Sequence, residues 1–398
     1  MPEIHARLSA SGAHRWLNCP PSVALEGNYQ DGSGGSEFAR EGTFAHELAE
    51  LYLNLEYGHI KKKQFNSQYK ILEKNEFFNI ELRDHVENYV NSVVELVNES
   101  KAKCKDVIVE MEQRLDFSEW VKEGFGTGDV VVIADGTLQI IDLKFGKGVE
   151  VSAINNPQLR LYGLGAYSQY EMLYDIEKVK MTIIQPRLDN ISTEELEVDE
   201  LLKWAEEVKK IAEMAYKGEG EYKAGEHCKF CKAKAECRAR AEENLELAKK
   251  YDFVESPFLD DIEIADILGF ADRVITYFKE VQEFALNKAV NEGVKYPGFK
   301  LVEGRSNRKY SDTDQVAKRL LESGFEEDKI YKPLELKGIT DITKVVGKKN
   351  FEPLLGDLII KPAGKLTLVT VDDKRPEHES TVSAKHDFEP VDDIEIPF

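Results

Sequence analysis

Positive charge is in short supply in this chain. Its 53 Lys and Arg stand against 74 Asp and Glu, a net charge of −21 over 398 residues. That balance argues against a protein that coats duplex nucleic acid by bulk attraction. It leaves room for an enzyme that engages an end or a single strand in a locally charged channel, because net charge is not local charge. Basic clusters do exist, at Lys61-Lys62-Lys63, at Lys101/Lys103/Lys105 and at Lys229/Lys232/Lys234/Arg238/Arg240. Each also reads as a solvated helix face, and for Lys61–Lys63 that is the preferred reading. Long apolar runs are missing as well: none reaches the ~18–20 residues needed to span a membrane. Cysteine is scarce, at five residues, and no signal peptide precedes them, so a secreted disulfide framework is not expected. The expectation is a soluble, cytosolic protein with no membrane partner. Hydrophobic residues at 42% and aromatics at 10% suffice for a core, and the length suits two domains or one elaborated one.

The most informative residues are Asp129, Asp142 and Lys144. They lie on two apolar runs, Val130 to Ala134 and Thr137 to Leu143, joined by Asp135-Gly136. Asp-Gly between such runs is a strong two-residue hairpin signal. A two-residue loop fixes the register, so Ala134 faces Thr137 and Asp129 faces Asp142. Facing residues share one side of the sheet, with Cβ atoms roughly 4.5–5.5 Å apart, and Lys144 points the same way as Asp142. Facing carboxylates repel, and a divalent cation is the simplest compensation. The same residues also read as a strand-start turn and a surface ion pair. Burial on both faces favours the metal site, since buried charges need partners.

Other candidates are weaker taken singly. Glu37 to Tyr57 carries a broad apolar stripe and reads as a helix with His46 on it. A lone histidine there is more often a core or boundary residue. Gln158 and Tyr162, four apart, share a helical face, with Asn155 or Asn156 as the cap and Pro157 in the first turn. On pattern alone that helix simply packs through Leu159, Leu161 and Leu164. Glu110 ends the run Val107-Ile108-Val109 and offers another carboxylate, but Glu112 is equally placed.

Together these residues resemble the motifs of RecB-type nucleases of the PD-(D/E)XK superfamily. Gly126-Thr127-Gly128-Asp129, Ile141-Asp142-Leu143-Lys144, Gln158-Leu159-Arg160-Leu161-Tyr162 and, upstream, Gly42-Thr43-Phe44-Ala45-His46 occur in that family's order. Four motifs in order over about 120 residues are far more specific than any one. The resemblance covers roughly residues 1–245. It implies an α/β restriction-endonuclease-like core, a mixed sheet flanked by helices. It implies Mg²⁺ or Mn²⁺ held by His46, Asp129, Asp142 and the backbone carbonyl of Leu143. Lys144 then positions the attacking water or stabilises charge on phosphate. Gln158 and Tyr162 contact DNA or support the active site. The implied activity is a metal-dependent DNA exonuclease acting at ends or on a single strand, in phage or prophage recombination or replication, and hence in a bacterial host cell.

Cys228, Cys231 and Cys237 form C-x₂-C-x₅-C, and Cys19 stands far upstream. This arrangement resembles the iron–sulfur staple of some RecB-like nucleases, the AddB nuclease domain and the CRISPR-associated RecB-like group among them. Four thiolates suit [4Fe–4S] or zinc. The isolated fourth cysteine and the long third spacing favour iron–sulfur over zinc. Cys104 is expected to be a free thiol. Two rival readings are a non-catalytic DNA-end- or partner-binding protein that keeps the fold, and a zinc-stapled binding module. Intact His46, Asp129, Asp142 and Lys144 count against the first.

The expected organisation is a nuclease module over 1–250, an α+β domain over 256–375 and a disordered acidic tail over 376–398. A helix is expected over Glu194–Lys217 and another over Ile262–Asn291. Strands are expected at Val179–Gln185, Phe299–Glu303 and Leu366–Val371. Glu303 to Tyr310 is a basic turn suited to phosphate or to a solvated connection. The chain ends Asp392-Asp393-Ile394-Glu395-Ile396-Pro397-Phe398. That tip resembles the acidic end of bacterial single-stranded-DNA-binding protein, though Ile394 and Glu395 interrupt the match. It implies that Phe398 docks on replication or recombination proteins.

Overall fold

The computed structural model describes residues 6–29, 37–134, 136–249, 261–302 and 313–323, with short pieces between 339 and 359. Asp31–Ser36, Asp135, the Glu303–Tyr310 run, the strand expected over Leu366–Val371 and the tail with Phe398 lie outside the described residues. The chain divides into two compact units, Met1–Glu292 and Gly293–Phe398. The second contributes the helices Thr313–Glu322 and Lys348–Leu355.

The first unit is an α/β layer structure around one five-stranded mixed sheet. Its strands are β1 (Ile108–Asp116), β2 (Phe125–Ala134), β3 (Thr137–Leu143), β4 (Lys178–Gln185) and β5 (Asn190–Glu197). They lie in that order across the sheet. Only β3 and β4 run parallel. A parallel pair needs a crossover, which is supplied here by the helix Pro157–Tyr170. The hairpin register is the one the Asp-Gly turn dictates, from Ala134 opposite Thr137 to Val130 opposite Ile141. Gly136 takes φ +71°, the left-handed conformation such a turn requires.

Helices cover both faces. On one side lie α1 (Ala13–Asn18), the crossover helix and α7 (Val198–Lys217), whose core includes Trp16, Leu115, Val131, Ile140, Leu159 and Leu201. On the other lie α3 (Glu37–Glu56) and α5 (Ile80–Lys103), packed through Phe44, Leu48, Val86, Tyr89, Val130 and Ile141. The label α2 is Ser22–Glu26, α4 is Lys62–Leu72 and α6 is the crossover helix. After α7 come α8 (Arg238–Lys249) and α9 (Asp261–Asn291).

Two expectations need correction. Asn190–Glu197 is a strand, so α7 begins at Val198 rather than Glu194. Its glutamates alternate along an exposed edge, where Glu195 and Glu197 meet Lys178 across the pair at 3.2 and 3.3 Å. Tertiary pairing with β4 overrides the helical leaning of the glutamates. Phe299–Val302 has no strand conformation. The first unit runs on to Glu292. Helix α9 folds back on the cysteine segment, where Glu280 pairs with Lys234 at 2.7 Å and Arg240 at 2.6 Å.

Candidate metal centre

The register places three carboxylates in one row across three strands. Asp142 on β3 follows Ile141, so it stands opposite Asp129 on β2. Met111 and Gln113 pair with Val130 and Gly128, which puts Glu112 of β1 opposite Asp129. At this row β1 changes sides. Met111 belongs to the α3/α5 core and Leu115 to the α1/α6/α7 core. Residues four apart share a face in an unbroken strand. Glu112 makes the reversal, with φ +49°, a left-handed conformation that is costly for a residue with a Cβ.

Asp129 Oδ2 accepts the Leu143 N–H at 2.7 Å, so the carboxylate takes a backbone donor at the end of the β2–β3 ladder. Its Oδ1 lies 3.2 Å from His46 Nδ1. Candidate ligand atoms of His46, Glu112 and Asp129 all lie within 4.8 Å of one another. Glu50, four residues from His46 on α3, lines the same small cavity with Tyr89 and Leu143. Tyr89 is 1% exposed, and its hydroxyl has no hydrogen-bond partner. One imidazole, two carboxylates and an orphaned buried hydroxyl are a donor set that fits a hard divalent cation.

Asp142 faces the other layer. Its Oδ2 pairs with Lys144 Nζ at 2.8 Å. Lys144 donates to Gln158 Oε1 at 3.0 Å, and Gln158 Nε2 donates to Asp142 Oδ1 at 3.4 Å and to Tyr162 Oη at 3.2 Å. Helix α6 delivers this pair because Asn156 caps it, accepting from the N–H groups of Gln158 and Leu159, with Pro157 at its start. Gly126 lets the helix approach: a Cβ there would sit 2.6 Å from Tyr162 Cε1.

The charges are interlocked. Burial pushes the Asp142 carboxyl up and Asp129 adds to this, against the pull of Lys144. Burial acts upward on Asp129 too, but His46, the Leu143 N–H and Lys144 outweigh it and hold that carboxyl low. Burial lowers His46, yet Asp129 carries it up to about 9. Lys144 is raised, the charge of Asp142 overcoming desolvation. Glu112 is pushed up to about 7 by burial and then by Asp129 and Glu50.

The structure thus brings His46, Asp129, Asp142, Lys144, Gln158 and Tyr162 to one end of the sheet. Of the expected ligands, His46 and Asp129 converge, while Asp142 is engaged with Lys144. Leu143 lines the cavity, and its N–H is spent on Asp129. Glu112 is the carboxylate that belongs here. Glu110 lies near Tyr170 instead, where it raises that phenol after burial does. The His46–Glu50 helical spacing was a usable sequence signal; nothing in sequence pointed to Tyr89.

Cys19, Cys228 and Cys231 are buried and Cys237 is half-buried. Cys19 caps α1, and α1 packs on the 3-10 turn Glu226–Phe230. Lys232 N–H donates to Glu26 at 2.7 Å, and Tyr29 bonds Glu236. Contact with Cys19 raises His227, and burial pushes the Cys231 thiol up to about 11. Among the described residues no three cysteine sulfurs lie within 4.8 Å of one another. The segments carrying Cys19 and Cys228 meet, but no set of three sulfurs gathers among the described residues. Cys104 stands apart at the end of α5.

What fold and site define is an α/β protein with a histidine–carboxylate centre and a half-buried lysine beside it. The chain belongs to the family described as "Protein of unknown function (DUF2800)", which matches residues 5–376. A crystal structure of a protein called SSO0001 is similar at 14% identity over 57% of this chain and 96% of the other, with a TM-score of 0.22. No described helix is long and apolar enough to cross a membrane.

Proposed function

We propose that this chain is a metal-dependent deoxyribonuclease of the RecB-like PD-(D/E)XK class, acting as an exonuclease on DNA ends. Its setting would be phage or prophage recombination or replication. The observation that supports this most is the Lys144 ammonium, 2.8 Å from Asp142, in the same carboxylate row as Asp129 and Glu112. His46, Glu112 and Asp129 would hold Mg²⁺ or Mn²⁺, with Asp142 completing the set as the resemblance implies. Bound there, the cation supplies Lewis-acid activation of phosphate and water.

The chain's own groups do the rest. Lys144 remains charged beside Asp142 and offers its protons to the attacking water or to the charge growing on phosphate. Gln158 fixes the ammonium through its Oε1, and Tyr162 fixes Gln158. Leu143 N–H and His46 hold Asp129 ionised and oriented. Cys19, Cys228, Cys231 and Cys237 are proposed to hold a [4Fe–4S] cluster that ties the N-terminal segment to residues 228–237. The Phe398 tip is proposed to dock on replication or recombination partners.

The test is degradation of end-labelled single- and double-stranded DNA by anaerobically purified protein with Mn²⁺ or Mg²⁺. Lys144→Ala is expected to lose at least about 10²–10³ in rate with unchanged metal binding. Equal activity in both proteins, or none in either, would sink Lys144-dependent catalysis and favour a binding protein.

A further inference from the structure

We propose that Gly146-Lys147-Gly148 is a phosphate-gripping strap that holds the nucleic-acid strand next to the bond presented to Lys144. The proposal rests on the nuclease reading and assigns residues which that reading leaves without a role.

The segment leaving β3 is pinned on both sides of these three residues. Before them, Lys144 N–H donates to Ile184 O at 3.0 Å, and Phe145 is buried in the core beneath α3 and α5. After them, Gln185 acts as a clamp. Its Oε1 accepts the Val151 N–H at 2.7 Å and its Nε2 donates to Val149 O at 3.0 Å. Asn190 donates to Val151 O at 3.0 Å. Further on, Ser192 accepts from Ala153 N–H at 2.9 Å and Glu194 from Asn155 N–H at 2.8 Å. Side chains from the β4–β5 edge therefore zip the connector down, and only its tip is left free.

That tip has the chemistry of an anion contact. Gly146, Lys147 and Gly148 are exposed. Lys147 has no ion-pair partner among the described residues. Neither glycine is explained by the fold: a Cβ added at either meets nothing within 4 Å, and neither adopts a left-handed φ. Glycine without an internal reason fits close approach of the backbone to something outside the protein. Two bare peptide N–H groups flanking an ammonium suit a phosphate oxygen. Lys147 lies three residues past Lys144, a span of about 10 Å, within reach of a neighbouring phosphate. A chain of net charge −21 needs such a local grip, since bulk attraction will not retain a polyanion.

The experiment measures binding of a fluorescent single-stranded oligonucleotide by anisotropy across a salt series, with Ca²⁺ in place of Mg²⁺. Lys147→Ala should weaken binding several-fold and lower the slope of log K against log salt by about one. Lys147→Arg should restore it. Gly146→Ala and Gly148→Ala should weaken binding while leaving Tm unchanged, a pattern a merely structural role does not give. An unmoved salt slope in Lys147→Ala, with wild type binding and cleaving, would overturn the strap alone. Glycine variants that lose binding only in step with lost Tm would overturn it as well. A wild type that neither binds nor cleaves would remove the nuclease reading, and the strap with it.

Discussion

The histidine–carboxylate centre and the cysteine segment are built in opposite ways. The first is assembled by backbone register. Three adjacent strands bring Glu112, Asp129 and Asp142 into one row, and helices on either face supply His46 and Gln158. Its donors His46, Glu112 and Asp129 converge within 4.8 Å. The second is assembled by side chains on short turns. Glu26, Tyr29 and His227 draw two distant parts of the chain together, and burial pushes the Cys231 thiol up to about 11. The sheet tolerates its facing carboxylates because His46 and Lys144 pair with them at 3.2 and 2.8 Å.

That contrast can be broken by substitution. The largest effect is expected at Asp129→Asn. Losing the charge that Leu143 N–H and His46 orient should weaken Mn²⁺ binding by at least about 100-fold, read by calorimetry on protein shown by circular dichroism to be folded. A preserved affinity would mean that Asp129 is not a ligand. Cys231→Ser should do the reverse, leaving Mn²⁺ affinity intact. If the cysteines hold a cluster, iron content falls and stability drops by ~2–4 kcal/mol, the scale of a lost cross-link, measured by chemical denaturation and iron assay. Unchanged stability and iron would leave the second region without a cofactor.

The smallest effect sharpens the first region. His46 is raised from about 6.5 to about 9 by Asp129, against burial. Its protonated pairing therefore stabilises the metal-free fold fully below pH 6.5, and the contribution is lost as pH rises through about 9. In EDTA, the urea-midpoint gap between wild type and His46→Gln should shrink across that window. A gap that is flat from pH 6 to about 10 would show that the imidazole is neutral throughout.

Much of this site was readable from the chain. The Asp-Gly turn set the β2–β3 register, the α3 stripe placed His46, and the Asn-Pro pair placed Gln158 and Tyr162. Each signal is local, acting over a few residues. What stayed hidden depends on partners far away. Glu110 and Glu112 are equivalent by alternation, and only a left-handed glutamate, which no residue type announces, turns the strand and selects Glu112. The strand β5 looked helical because its glutamates are good helix formers. Lys178 and the free edge of β4 made it a strand. Tyr89 is one aromatic on a helix rich in apolar residues, and its meaning is the cavity it faces.

The parallel pairing of β3 with β4 carries a consequence for the order in which the molecule comes into being. The β2–β3 hairpin closes over two residues and can form as soon as it is made. Lys144, however, is anchored to Ile184, forty residues downstream, across a helix that must first cross over. A nascent chain halted before β4 holds its facing aspartates with neither a fixed lysine nor the Gln185 clamp. Completion of the site is thus a late event in synthesis, set by topology.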